Sequence, residues 1–208
     1  MPNTIRLNID DRETGVPEGA TLLEAARKLR ITLPTLCSMG GRNDRAACRL
    51  CLVRVDRSPQ LVSACSTPAR AGMRVVTGDP QIIAARRVIA ELTLAEHGQC
   101  GRADCEVERL AASLGVTRSR FRAHRAEPAA DMGSDYIDVD AALCVHCDRC
   151  IRACSRDVIG RCGRGATVGS SFGVHAGSLA QSDCTQCGDC VHACPASALR
   201  HHPSPAHG

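Results

Sequence analysis

Near the C-terminus the cysteines repeat. Cys144, Cys147, Cys150 and Cys154 are followed by Cys184, Cys187, Cys190 and Cys194, each 40 residues after its counterpart. Both runs read C-x2-C-x2-C-x3-C, and the second continues into Pro195. This spacing constrains the fold more than any hydrophobic pattern in the chain. Thiolates two residues apart can wrap one loop around an inorganic cubane. Three sulfurs from that loop bind three irons, and the fourth cysteine of each run ligates the cluster of the other run. The spacing therefore predicts an interlocked, bacterial-type ferredoxin domain with two [4Fe–4S] clusters. One would be held by Cys144, Cys147, Cys150 and Cys194, the other by Cys184, Cys187, Cys190 and Cys154. Zinc sites also use C-x2-C pairs, but they need neither the third cysteine nor the fourth, twice over.

The rest of the composition agrees with a chain organised around metal. Its 208 residues include 15 Cys but one Tyr, two Phe and no Trp, so the side chains that bury most area are nearly absent. An odd cysteine count, C-x2-C spacings and no apolar stretch after Met1 argue against a secreted disulfide framework. No apolar run reaches the length of a membrane span. Thiolates kept available for metal fit a reducing, cytoplasmic compartment. The formal charge of +4 is small and the arginines are scattered, so nucleic acid is not an expected partner.

At the N-terminus, Ile5, Leu7 and Ile9 alternate with polar residues, which predicts a strand. A second strand near Glu13 to Pro17 would close a hairpin. Thr21 with Glu24 three residues later is a capping-box signature. It opens a helix with Leu22, Leu23, Ala26 and Leu29 on its apolar face. Cys37, Cys48, Cys51 and Cys65 follow, with Gly40 and Gly41 in the loop. Leu52, Val53 and Val55 begin a strand, with Leu61 and Val62 as its partner. Hairpin, helix and cysteine loop in this order predict a β-grasp ferredoxin holding one [2Fe–2S] cluster, although the first gap is longer than the plant-type C-x4-C.

Between these domains the pattern is helical. Ile82, Ala85, Ile89 and Leu92 recur at three- and four-residue steps, with Arg86, Arg87 and Glu91 assigned to other faces. His97, Cys100 and Cys105 come next, then a short helix from about Glu106 to Leu114, ending at Gly115. Ala123 to Ser134 reads as a linker, Tyr136 to Asp140 as a strand, Gly160 to Gly169 as Gly-rich packing between cluster loops, and His201 to Gly208 as a disordered tail. The expected domains are 1–78, 79–125 and 126–208 in an α+β chain. His146 and His192 sit beside ligating cysteines, and His124 and His175 read as surface residues. No dinucleotide fingerprint and no nucleophile–base pair is present, so no active site of its own is expected.

The words Pro34-Thr35-Leu36-Cys37, Cys48-Arg49-Leu50-Cys51-Leu52-Val53, Ala64-Cys65, Asp157-Val158-Ile159-Gly160 and Gly163-Arg164-Gly165-Ala166 carry a resemblance. The chain resembles the N-terminal iron–sulfur region of NAD-dependent molybdenum formate dehydrogenases. The same layout occurs in the iron–sulfur subunit of NAD-reducing hydrogenases and in the large iron–sulfur subunit of bacterial complex I. The resemblance implies an electron-transfer subunit within a hetero-oligomer. Its partners would be a flavin/NADH-binding subunit and a molybdopterin or nickel–iron catalytic subunit. It also implies a middle H-x3-C-x2-C-x5-C cluster motif, from which this sequence departs. Only His97, Cys100 and Cys105 remain, so no further [4Fe–4S] cluster is expected unless a residue such as Cys162 completes it. A free-standing ferredoxin-like carrier and a redox sensor using Cys100, Cys105 and Cys162 are the alternatives.

Overall fold

The computed structural model describes residues 4–41, 44–98, 100–102, 105–122, 133–162, 167–170 and 178–202, with backbone alone for 162 and 167–170. Two compact units divide the chain, the first comprising Met1–Ala90 with Leu114–Val116, the second Glu91–Ser113 with Thr117–Gly208.

In the first unit, β1 (Thr4–Ile9) pairs antiparallel with β2 (Arg12–Pro17). Asp10 and Asp11, at φ 48° and 60°, make the tight turn between them, a conformation that Asp tolerates better than most residues. Leu7 and Ile9 point into the core from one face of β1. Helix α1 (Leu22–Lys28) starts as the sequence predicts. Thr21 N donates to Glu24 Oε2 at 2.6 Å and Glu24 N donates to Thr21 Oγ1 at 3.2 Å. Its buried residues are Leu22, Leu23, Ala25 and Ala26, whereas Leu29 caps the helix at the core margin.

After the cysteine loop come β3 (Leu52–Val55), β4 (Leu61–Ser63) and β5 (Arg74–Val76). The sheet order is β2-β1-β5-β3-β4. Strand β5 lies parallel to β1 and antiparallel to β3 and so joins the two hairpins. The sequence pattern does not predict β5, which has three residues and only Val75 buried. The turn after β4 is tied to α1, with Leu22 N donating to Thr67 O and Leu23 N to Ala64 O, both at 2.9 Å. That places the Cys65 turn against the start of the helix.

Helix α2 (Pro80–His97) is capped by Asp79, whose carboxylate accepts from Ile82 N at 2.9 Å and from Arg54 Nε at 2.7 Å. Two expectations about its faces need correction. Leu92 is exposed, and Arg86, assigned to an outer face, is buried with Nη2 donating to Leu52 O at 2.6 Å. The guanidinium takes a sheet-margin carbonyl while its stem packs as apolar chain.

The second unit contains α3 (Glu106–Ser113), β6 (Ile137–Val139), a 3-10 turn (Ala141–Leu143), α4 (Arg149–Ala153), β7 (Ile159–Cys162), β8 (Thr167–Ser170), α5 (Asp189–Ala193) and β9 (Leu199–His201). Gly115, at φ 75°, follows α3. Strand β6 pairs antiparallel with β9, and β7 with β8. His201, which reads from sequence as tail, is therefore a strand residue opposite Ile137. The Gly160–Gly169 stretch includes a hairpin that pairs these two glycines directly; residues 163–166 lie outside the described residues. So do most of the expected linker (123–132), His124, His175 and residues 203–208.

Candidate iron–sulfur sites

In the first unit the structure brings Cys37, Cys48, Cys51 and Cys65 together. The thiols of Cys48 and Cys65 both donate toward Cys37 and hold its pKa well down, while Cys65 also donates to Cys51 and lowers it to about 7. The two donors are driven up in return. Cys37, Cys51 and Cys65 are buried and Cys48 is partly so. Backbone N–H groups also converge on the sulfurs: Leu36 N stands 3.4 Å from Cys48 Sγ, Ala47 faces Cys37 and Ala64 faces Cys51. Ala46 and Arg49, at φ 52° and 55°, flank Ala47 and Cys48, whose successive amides both face Cys37. Successive amides in such a turn form an anion-binding nest, suited to thiolates. The donor set fits a [2Fe–2S] rhombus, with four sulfurs in a half-closed cradle and hydrogen-bond donors aimed at them.

In the second unit the same construction appears twice. Positive φ occurs at His146 and Asp148 (53° and 61°) and again at Gln186 and Gly188 (58° and 80°), each pair inside the C-x2-C gaps. Asp157 and Ser197, at 54° and 53°, continue the correspondence. Helices α4 and α5 each carry the third cysteine, Cys150 or Cys190. The fourth cysteines cross over. Cys194 stands close enough to Cys144, Cys147 and Cys150 for its charge to bear on all three, while Cys154 bears on Cys190 along with Cys184 and Cys187. Burial is the largest influence on Cys144, Cys147, Cys150 and Cys190, pushing Cys147 up to about 12 and Cys190 to about 11. Thiols so raised stay protonated at neutral pH without metal, so loading with metal must displace their protons.

The outer contacts of the two repeats differ. Arg161 Nε donates to Asp148 Oδ1 at 2.8 Å, and its Nη2 donates to His146 O at 2.9 Å. At the corresponding place in the second repeat, Gly188 lies against the His201 ring. His192 Nδ1 lies 3.0 Å from Gly188 O.

The middle residues also converge, with one addition that sequence reasoning misses. His97 Nε2 and Cys105 Sγ are 3.2 Å apart, and both residues are fully buried. Cys100 donates to Glu108 Oε1 through its backbone N at 3.1 Å and its Sγ at 3.3 Å. Burial pushes the Cys100 thiol up to about 11. Cys105 precedes α3, and Glu108 N donates to its sulfur at 3.5 Å. Glu108 is thus carried one helical turn beyond Cys105 and reaches back into the group. The Cys162 side chain, suggested from sequence as a further ligand, lies outside the described residues.

Sites, sheet and cysteine loops define an iron–sulfur protein of two ferredoxin-type domains. Residues 2–80 match the 2Fe-2S iron-sulfur cluster binding domain and residues 143–198 match the 4Fe-4S dicluster domain. Beyond the separate domains, the whole arrangement has relatives. The chain is 34% identical over 220 residues to the NADP-reducing hydrogenase subunit HndD of Solidesulfovibrio fructosivorans, covering 95% of this chain and 36% of that protein. It is also 34% identical over 209 residues to an NADH-quinone oxidoreductase subunit of Rhizobium meliloti (strain 1021), covering 96% of this chain and 24% of that one. The mitochondrial NADH dehydrogenase [ubiquinone] iron-sulfur protein 1 of Solanum tuberosum is 27% identical over 215 residues, covering 98% of this chain and 29% of that protein. The chain therefore spans about a third or less of these relatives' length. Its fold superposes on a chain of an NAD+-reducing [NiFe]-hydrogenase in the H2-reduced state, with a TM-score of 0.85 at 24% identity, covering 98% of this chain and 90% of that one. Among the described residues no helix is long and apolar enough to cross a membrane.

Proposed function

We propose that this chain is the electron-transfer subunit of an NAD(P)-linked oxidoreductase of the formate dehydrogenase or hydrogenase type. It would relay electrons between a flavin/NADH-binding subunit and a separate molybdopterin or nickel–iron catalytic subunit. Residues 1–78 hold one [2Fe–2S] cluster through Cys37, Cys48, Cys51 and Cys65. Residues 126–208 hold two [4Fe–4S] clusters, one through Cys144, Cys147, Cys150 and Cys194, the other through Cys184, Cys187, Cys190 and Cys154. Residues 79–125 connect them. Bound clusters supply reversible one-electron chemistry. The protein's own contribution is to bury the sulfurs and exclude water, and to aim backbone N–H groups at them, which offsets the cost that burial imposes on the thiolate form and tunes potential.

The observation that carries this reading is the crossing of Cys194 and Cys154 between repeats, because it ties two cages into one body suited to relay. The relatives add the setting: all three named above are NAD(P)H-linked by name, and one of them is an NADP-reducing hydrogenase subunit.

The test is affinity purification of the tagged chain, anaerobically, from its native cell. A flavin-containing partner should co-purify, and NADH or NADPH should bleach the cluster absorbance of the complex but not of the isolated chain. Recovery of the chain alone, fully loaded and reducible by several unrelated partners, would favour a free carrier and overturn the subunit assignment.

A further inference from the structure

The ligand atoms of His97, Cys100, Cys105 and Glu108 all lie within 4.8 Å of one another. Tetrahedral zinc with bonds of about 2.0–2.3 Å spaces its ligands by roughly 3.3–3.8 Å. Three separations in this group are close to that range: 3.2 Å for Cys105 Sγ to His97 Nε2, 3.3 Å for Cys100 Sγ to Glu108 Oε1 and 3.8 Å for His97 Nε2 to Glu108 Oε1. A cubane inserts four irons and four sulfides between its ligands and needs them much farther apart. Among the described residues this is the one group of His, Cys, Asp and Glu side chains drawn together in this way.

The imidazole is prepared for a metal. His97 Nδ1 lies 2.9 Å from Leu143 O, and a carbonyl can only accept. The ring proton is therefore on Nδ1, and the Nε2 lone pair faces Cys105 and Glu108. Ligating histidines use a carbonyl partner in this way to fix tautomer and ring orientation. The ring is fully buried, so its orientation is set by packing as well.

We propose that His97, Cys100, Cys105 and Glu108 form a mononuclear zinc site. Two thiolates, one imidazole and one carboxylate make a closed tetrahedral set of the borderline-soft donors that zinc takes, with no position left open for substrate. Binding releases the two thiol protons and leaves the site with one net negative charge. Zinc has no redox chemistry. The site is therefore a structural clasp that joins the end of α2, the start of α3 and, through Leu143, the turn entering Cys144. It goes beyond the relay function above and does not depend on it, because its readout is a different element.

The experiment uses the full-length chain, purified anaerobically with a chelator present to strip loosely held ions. Metal analysis should find about one zinc per chain beside about ten irons, the iron of one [2Fe–2S] and two [4Fe–4S] clusters. Zinc-edge X-ray absorption should show mixed sulfur and nitrogen/oxygen neighbours at about 2.3 and 2.0 Å. Cys105→Ser should lose the zinc while the EPR signals of all the clusters persist, and Glu108→Gln should weaken zinc retention at least about tenfold against a competing chelator. Wild-type protein without zinc overturns the proposal whatever the variants do. So does zinc that survives both substitutions, or an iron content about four higher that falls with Cys105→Ser.

Discussion

Cys194→Ala is expected to remove the cluster bound by the other repeat, the one at Cys144, Cys147 and Cys150, and to leave the cluster at Cys184, Cys187 and Cys190 in place. Low-temperature EPR of the reduced protein should lose one of its two [4Fe–4S] signals, with about four irons lost per chain. The [2Fe–2S] signal should be unchanged. The reason is spatial: Cys194 follows α5, yet its sulfur bears on the three thiols of the earlier loop. The reciprocal variant, Cys154→Ala, should damage the later cluster. If Cys194→Ala instead takes away the cluster next to it in sequence, the crossing is refuted.

Leu23→Ala is expected to cost about 3 kcal/mol, in the middle of the range for truncating a buried leucine. Leu23 is almost wholly buried in the same core as Leu7, Ile9, Cys51 and Cys65. Its backbone N–H also holds Ala64 O, the residue before the last cysteine of the first set. A cavity here opens directly beneath the Cys65 turn. Thermal loss of the [2Fe–2S] visible circular dichroism should move down by roughly 10–20 °C. A shift of only a degree or two would mean that the core does not support the cysteine loop. A shift confined to the [4Fe–4S] absorbance would place the support elsewhere.

What can be read in advance follows strong local chemistry. Thr21 with Glu24, the alternation of Ile5, Leu7 and Ile9, and the repeated cysteine spacing each have one favoured physical outcome. The parts that escape are short or ambiguous. Strand β5 has one buried residue and flanking Arg74, too little for a period to show. Gly160 and Gly169 read as Gly-rich packing between cluster loops, yet they face each other across paired strands, where glycine supplies no side-chain alternation to signal a strand. His201 is hidden among the histidines and prolines of the tail, although β6 gives it a partner. Arg86 reads as outward-facing because it is charged, but its length lets the guanidinium reach a carbonyl from a buried stem. Glu108 escapes notice when only histidine and cysteine are counted as donors. A carboxylate three positions after Cys105 returns to the same side of the helix.

The duplicated cages share a backbone but do not have interchangeable contents. A side chain at Gly188 would place its Cβ 2.8 Å from His201 Cε1, so a counterpart of Asp148 there would first have to displace the ring. Where the second copy keeps an imidazole ring, the first keeps a guanidinium locked to Asp148 and charged at every physiological pH. The guanidinium and its Asp148 partner act on Cys144 in opposite directions, so the first cage carries a bound ion pair at its edge rather than a lone cation. Copying alone would have made two identical surroundings; the Arg161-for-His201 difference sets an ion pair at the edge of one cage and a ring at the edge of the other, so the copies diverge without any change in their cysteines.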